Sequence, residues 1–94
     1  MAIESDFAEL SRLLAARPEL AHVSIRKYGQ SLILCQQDEH ATDNLIRFTR
    51  QSATRWSLSF AQHTGRWEAT PFEDSLPTLF HMVCEQFSFY LAPR

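Results

Sequence analysis

The spacing of apolar residues changes twice along this chain, from a helical period to a period of two and then back. In the first segment Phe7, Leu10 and Leu14 recur three and four residues apart, which is typical of one face of an amphipathic helix. From Val23 onward apolar and polar residues alternate, as they do in strands with one buried face. After Pro71 the helical period returns. The pattern therefore predicts strands flanked by two terminal helices.

The prolines set the bounds of both helices. We predict the first helix over residues 5–17, because Pro18 disfavours helical backbone at the residue before it. The second is predicted over residues 75–91, with Ser75 as its cap. Pro77 is tolerated there, since the first turn of a helix has backbone N–H groups without partners.

The only two glycines of the chain, Gly29 and Gly65, each lie between two alternating segments. A glycine in that position indicates a hairpin turn. With one more alternating run between the hairpins, the sequence predicts strands over residues 23–28, 31–36, 44–50, 55–62 and 66–69. The expected fold is α+β, a two-layer α/β sandwich. In it an antiparallel meander of four to five strands is flanked by an N-terminal and a C-terminal helix packed on one face (α-β-β-β-β-β-α). We expect residues 1–94 to be a single domain, because a chain of this length supports one core.

The hairpin turns also determine which side chains share a face of the sheet. A two-residue turn at Thr64-Gly65 places the large apolar residues of the strands together. We predict that the core face consists of Val23, Ile25, Leu32, Leu34, Ile46, Phe48, Trp56, Leu58, Phe60, Trp67 and Ala69. The second helix is expected to add Val83 and Phe87, both nearly fully buried.

Charge and hydropathy exclude several classes of function. Nine basic and eleven acidic residues give a net charge of −2, whereas proteins that bind nucleic acid or anionic lipid normally carry a basic excess. No apolar run is longer than the four residues of 32–35, which is far too short to cross a bilayer. The N-terminal residues show no basic segment followed by an apolar one. We therefore expect a cytoplasmic protein that does not bind a membrane, and we rank nucleic acid below a protein or a small anion as its partner.

Motifs for catalysis or metal binding are not found in the sequence. Two glycines in separate turns cannot form a phosphate-binding loop, and the four histidines are 18, 23 and 18 residues apart. We predict no metal, no cofactor and no catalytic residues. The one pair with chemical potential is Cys35 and His63, which the predicted register places on the face of the sheet away from the helices. We interpret Cys35 as a buried packing residue and not as a nucleophile. An enzyme is therefore only the third functional hypothesis, after the two given at the end of this subsection.

Basic residues are concentrated in the strands. Residues 22–67 contain six bases and three acids, and the two flanking segments are acidic. On the face opposite the core, short side chains between arginines form a trough that could accept a carboxylate, a phosphate or an acidic segment. The candidate ligand-binding residues are Arg26, Arg47, Arg66, His63, Ser57 and Ser59.

Four apolar residues fall outside the predicted core. Met82 and Phe89, seven residues apart, share a stripe of the second helix beside its apolar face. Ile33 and Leu45 fall on the sheet face away from the helices. Apolar surface of this kind often marks a contact with a partner or a second copy.

Two functional hypotheses follow. The first is a small bacterial, non-enzymatic protein-interaction module, acting as a homodimer, adaptor, chaperone or immunity-type protein. The alternative is a binder of an anionic small molecule or nucleic-acid backbone on the arginine-bearing sheet face. An interface through Met82 and Phe89 would favour the first, and a cavity bounded by Arg47 and Arg66 would favour the second.

Overall fold

The structure, a computed structural model, describes residues 3–37, 42–62 and 64–92. It contains helices α1 (Ile3–Ala15) and α2 (Leu76–Gln86), short 3₁₀ helices at Pro18–Leu20 and Ser88–Leu91, and strands β1 (Ser24–Tyr28), β2 (Ser31–Gln37), β3 (Thr42–Arg50), β4 (Trp56–Ala61) and β5 (Trp67–Asp74). The strands form one antiparallel sheet in the order β1-β2-β3-β4-β5. The predicted fold class is confirmed. Neither described helix has the length and apolar character that crossing a bilayer requires.

Both helices pack on the same face of the sheet. One buried cluster joins Leu10 of α1, Phe80 of α2 and the strand residues Phe48, Trp56 and Leu58. Each of these side chains is almost completely removed from water. Every second strand residue points to this face. Since both helices lie here, the opposite face of the sheet has no covering layer among the described residues, and we call it the open face.

The start of α2 agrees with the sequence prediction, but its end does not. Ser75 caps the helix, since its Oγ accepts a hydrogen bond from the Thr78 backbone N–H at 3.4 Å. The helix then ends at Gln86 rather than Leu91. Phe87 has a non-helical backbone and is only half-buried, so the prediction of near-complete burial for Phe87 is wrong.

Packing of the C-terminal aromatic residues accounts for the early end of α2. In the 3₁₀ turn after the helix, the Tyr90 ring stacks on Phe60 with centroids 4.2 Å apart and planes 3° apart. The same turn buries Leu91 against the core. A continued α-helix would rotate these side chains to other positions, since α- and 3₁₀-helices differ in residues per turn.

The hairpin at Gly65 is one residue out of the predicted register. The Gln62 backbone N–H donates to the Arg66 carbonyl at 2.8 Å, and Ala61 lies opposite Trp67. Gly65 has a φ of +87°, as longer hairpin loops with a left-handed glycine require. A shift of one residue reverses the face of every side chain that follows. The prediction that Trp67 and Ala69 lie on the core face is therefore wrong.

A β-bulge changes the position of Leu45. Leu34 pairs with Ile46 and Cys35 pairs with Asn44, which leaves Leu45 as an extra residue of β3. Bulges of this kind bend the strand and turn the side chain. Leu45 is fully buried in the core cluster, so the prediction that it lies on the open face is wrong.

A second irregularity interrupts β5, which runs five residues beyond the predicted end of that strand. Ser57 pairs with Glu73 and Ser59 with Ala69, so three residues of β5 bulge opposite the single residue between these serines. Pro71 lies in this bulge, consistent with the preference of strand prolines for edges and bulges. Phe72 beside it is half-buried against the core.

Candidate functional site

The register of the sheet brings two arginines to the open face, with one apolar residue between them. Arg26 of β1 lies opposite Ile33 of β2, Ile33 lies opposite Arg47 of β3, and Arg47 lies opposite Ser59 of β4. Directly opposed residues in antiparallel strands point to the same face with Cβ atoms about 5 Å apart. The two arginines are thus brought to the two sides of Ile33.

A shallow cavity of about 270 Å³ lies over this row, and we call it the arginine cavity. It is lined by Arg26, Tyr28, Ile33, Asn44, Arg47 and Trp67. Of the candidate ligand-binding residues predicted from the sequence, Arg26 and Arg47 are brought together here. Tyr28, Asn44 and Trp67 complete the cavity and were not among those candidates.

Arg47 is held in one orientation by contacts on three sides. Its Cζ lies 5.8 Å from the centroid of the Tyr28 ring and 5.9 Å from that of Trp67, within the range of cation–π interaction. Its Nε donates to the Ser31 Oγ at 2.8 Å. Ser31 is itself buried and hydrogen-bonded to the Thr49 hydroxyl at 3.1 Å. The guanidinium group is therefore fixed before any ligand arrives.

The charge of both arginines is left without an acidic partner within the described part of the chain. The Nη atoms of Arg47 have no hydrogen-bond acceptor among the described residues, and its one bond goes to a neutral hydroxyl. Arg26 donates through Nη2 to the neutral Asn44 Oδ1 at 3.0 Å. None of the described acidic residues lines the arginine cavity. Asp43 lies in a neighbouring polar cavity that shares Asn44 and Trp67 with it.

The floor of the arginine cavity is apolar. Ile33 is 2% exposed although it faces away from the helices, because the residues that line the cavity with it cover it from above. The prediction that Ile33 offers apolar surface to a partner is wrong for that reason.

Cys35 next to Ile33 is not prepared for nucleophilic chemistry. It is buried, and burial raises the pKa of its thiol, while the nearby Arg26 charge acts more weakly in the opposite direction. The thiolate is the reactive species, so a raised pKa lowers reactivity at neutral pH. His63, its predicted companion, lies outside the described residues.

The remaining candidate ligand residues lie away from the arginine cavity. Arg66 precedes β5 beside Gln62 and does not line it, because the shift of the Gly65 hairpin replaces it with Trp67. Ser57 lies one row further along the sheet, where its Oγ accepts from the Gln51 Nε2 at 2.9 Å. Ser59 is opposite Arg47 in the register but is not part of the lining.

The two apolar residues predicted to form a stripe on the final helix are separated by its early end. Met82 is half-buried and packs against the core. Phe89 lies in the 3₁₀ turn, is 67% exposed, and has its ring centroid 4.7 Å from that of Tyr90. Only Phe89 therefore offers a large exposed apolar surface there.

Comparison of the chain with protein-family models, with curated proteins and with solved structures gave no match. Over residues 3–37, 42–62 and 64–92 no three His, Cys, Asp or Glu side chains come together as metal ligands.

Proposed function

We propose that the protein is a non-enzymatic binding protein for a small organic anion, carboxylate or phosphate, held in the arginine cavity. The observation that carries this proposal is Arg47, whose guanidinium is fixed by two rings and a buried serine but has no acidic partner among the described residues. Arg26 supplies a second positive charge across Ile33. Asn44 adds an amide that is already hydrogen-bonded to Arg26.

The chemistry of arginine supports an oxyanion as the ligand. A guanidinium presents paired N–H groups that match the two oxygens of a carboxylate or phosphate. Each hydrogen bond to a charged group contributes about 1.5–3 kcal/mol, which is more than a neutral pair contributes. Because Arg47 is already positioned, little side-chain entropy is lost on binding.

The walls of the cavity favour an anion with a flat apolar body. Trp67 and Tyr28 stand on either side of Arg47, and Tyr28 is 63% exposed. A ring attached to the anionic group can cover part of these faces and bury apolar area in addition to the charged contact.

Titration calorimetry with small probes tests this proposal. Benzoate and phenyl phosphate should bind more tightly than acetate and inorganic phosphate, and their affinity should fall as salt is added because screening weakens charge attraction. The difference in affinity between benzoate and phenyl phosphate identifies which headgroup, carboxylate or phosphate, is preferred. Benzyl alcohol is the neutral control and should give no measurable heat. Equal binding of benzyl alcohol and benzoate, or no binding of any anion, would contradict the proposal.

A second candidate function is self-association through Phe89. It is favoured by the exposure of this ring, which exceeds that of every other described phenylalanine, next to Tyr90 at 4.7 Å. A ring left in water contributes to association when a partner covers it.

Light scattering during size exclusion should give twice the 10.9 kDa chain mass for the wild type. The Phe89→Glu variant should have the monomer mass, because a carboxylate cannot be buried unpaired at an apolar contact. Ser88→Glu introduces the same charge at the neighbouring exposed position and retains the ring, so it should stay dimeric. A monomeric wild type would rule out this second function.

A further inference from the structure

The outer edge of β1 is a second surface with the properties of a binding site. β1 is the first strand of the sheet and, within the described ranges, pairs only with β2. All of its residues are exposed except the half-buried Ile25. An edge strand of this kind presents a row of unpaired backbone N–H and C=O groups to any strand of suitable shape.

The two edges of the sheet differ in how open they are to pairing. β5 is interrupted by its bulge and by Pro71, and both features block the addition of a strand. β1 keeps an unbroken register with β2 over residues 24–28 and contains no proline. Among the described strands, β1 is thus the edge whose backbone can continue the sheet.

An apolar groove runs beside this edge, on the helix side of the sheet. It has a volume of about 460 Å³ and lies between α1, the first 3₁₀ turn and β1. Its apolar lining includes Phe7, Leu14, Leu20, Val23 and Ile25. Side chains of an added strand alternate between the two sheet faces, so every second one would enter this groove.

We infer that β1 binds an extended segment of a partner protein, which adds to the sheet as a further strand. Its apolar residues occupy the groove beside Ile25, and its alternate residues are acidic and lie beside Arg26. This surface shares Arg26 with the arginine cavity, but it does not include Arg47, which lies two strands further in, about 4.8 Å per strand. The inference therefore does not depend on anion binding.

Charge determines that the occupant is an acidic segment and not a second copy of this chain. β1 contains Arg26 and Lys27 and no acid. Two copies paired through β1 about a two-fold axis would bring these cations against their own counterparts, and like charges on opposed strands are destabilising. Pairing of β1 with the β5 edge of another copy is blocked by Pro71. An acidic partner instead relieves the positive charge of Arg26, which has no acidic partner in the described part of the chain, whereas Lys27 is paired with Glu4 at 3.2 Å.

The probe for this inference is a synthetic peptide of about the length of β1 that alternates glutamate and valine. Fluorescence anisotropy should show that it binds at least about tenfold more tightly than a peptide of the same composition with the glutamates and valines in separate blocks. Two further peptides carry N-methyl groups on either the odd-numbered or the even-numbered backbone nitrogens. One of them should lose binding and the other should keep it, because only every second N–H of an added strand faces β1.

Two matched variants locate the site in the groove. Ala15 is exposed and lines the groove, whereas Ala8 is exposed on the same helix and does not. The Ala15→Trp variant should lose peptide binding and the Ala8→Trp variant should keep it, while Arg47→Gln should leave it within about twofold. Equal affinity for alternating and block peptides, tolerance of both methylated sets, or equal effects of the two tryptophan variants would overturn the inference.

Discussion

Truncation of Phe80 to alanine is expected to lower the free energy of unfolding by about 3–5 kcal/mol. Phe80 is on α2, is 0% exposed, and belongs to the cluster that joins both helices to the sheet. The loss combines the transfer energy of the ring with the cavity left behind, because a close-packed core collapses only partly. Small domains are stable by roughly 5–15 kcal/mol, so this variant should lose a large part of its stability in urea titration.

The matched control is Phe89→Ala, which removes the same side chain from an exposed position. That variant, measured at a concentration where the protein is monomeric, should lose less than about 1 kcal/mol, as is usual for surface changes. If Phe80→Ala and Phe89→Ala had equal unfolding midpoints, the assignment of the α2 face to the core would be wrong.

Replacing Arg47 with glutamine is expected to weaken the binding of benzoate or phenyl phosphate by about 10- to 100-fold. Glutamine removes one or more charge-assisted hydrogen bonds to the anion, each of which contributes about 1.5–3 kcal/mol. The fold itself should persist, since Arg47 is half-buried on the open face and lies outside the core cluster. Calorimetry on the folded variant measures the loss.

Three further variants separate the arginine cavity from a general effect of charge. Arg66→Gln and Arg12→Gln remove the same charge from exposed positions outside the cavity and should change the affinity by no more than about twofold, because exposed charges are screened by salt. Arg47→Lys keeps the charge but lacks the paired N–H groups and should bind more weakly than the wild type. Equal losses in Arg66→Gln and Arg47→Gln would show that the anion is attracted by net charge alone.

The overall fold could be predicted because it depends on local signals. The change of period near Val23 and after Pro71 reports which side chains alternate and which recur every three to four residues. The glycines that connect the strands need a positive φ, and both have one, 58° at Gly29 and 87° at Gly65. Ser75 caps α2 through its own side chain. None of these features requires knowledge of distant contacts.

The arginine cavity could be predicted only in part, because its lining depends on one-residue shifts that the sequence does not report. The face of Arg26 follows from the Gly29 hairpin, and that of Arg47 follows from its alternation with Ile46 and Phe48, so both were identified. The sequence predicts Trp67 in the core and Arg66 on the open face. The loop at Gly65 is one residue longer than that prediction assumes, so Trp67 and not Arg66 lines the cavity. The bulge at Leu45 could not be predicted for a similar reason. An extra strand residue is stabilised by tertiary packing and not by local preference, so the sequence does not show where it lies.

The most direct test of the proposed anion site is a titration of the isotope-labelled protein with phenyl phosphate, followed by two-dimensional NMR. The indole N–H of Trp67, the side-chain amide of Asn44 and the backbone amide of Ile33 should shift together and saturate at one dissociation constant, since all three residues line the arginine cavity. Resonances of the exposed face of α1 should not move. Shifts confined to residues outside the cavity, or linear changes without saturation, would contradict the account.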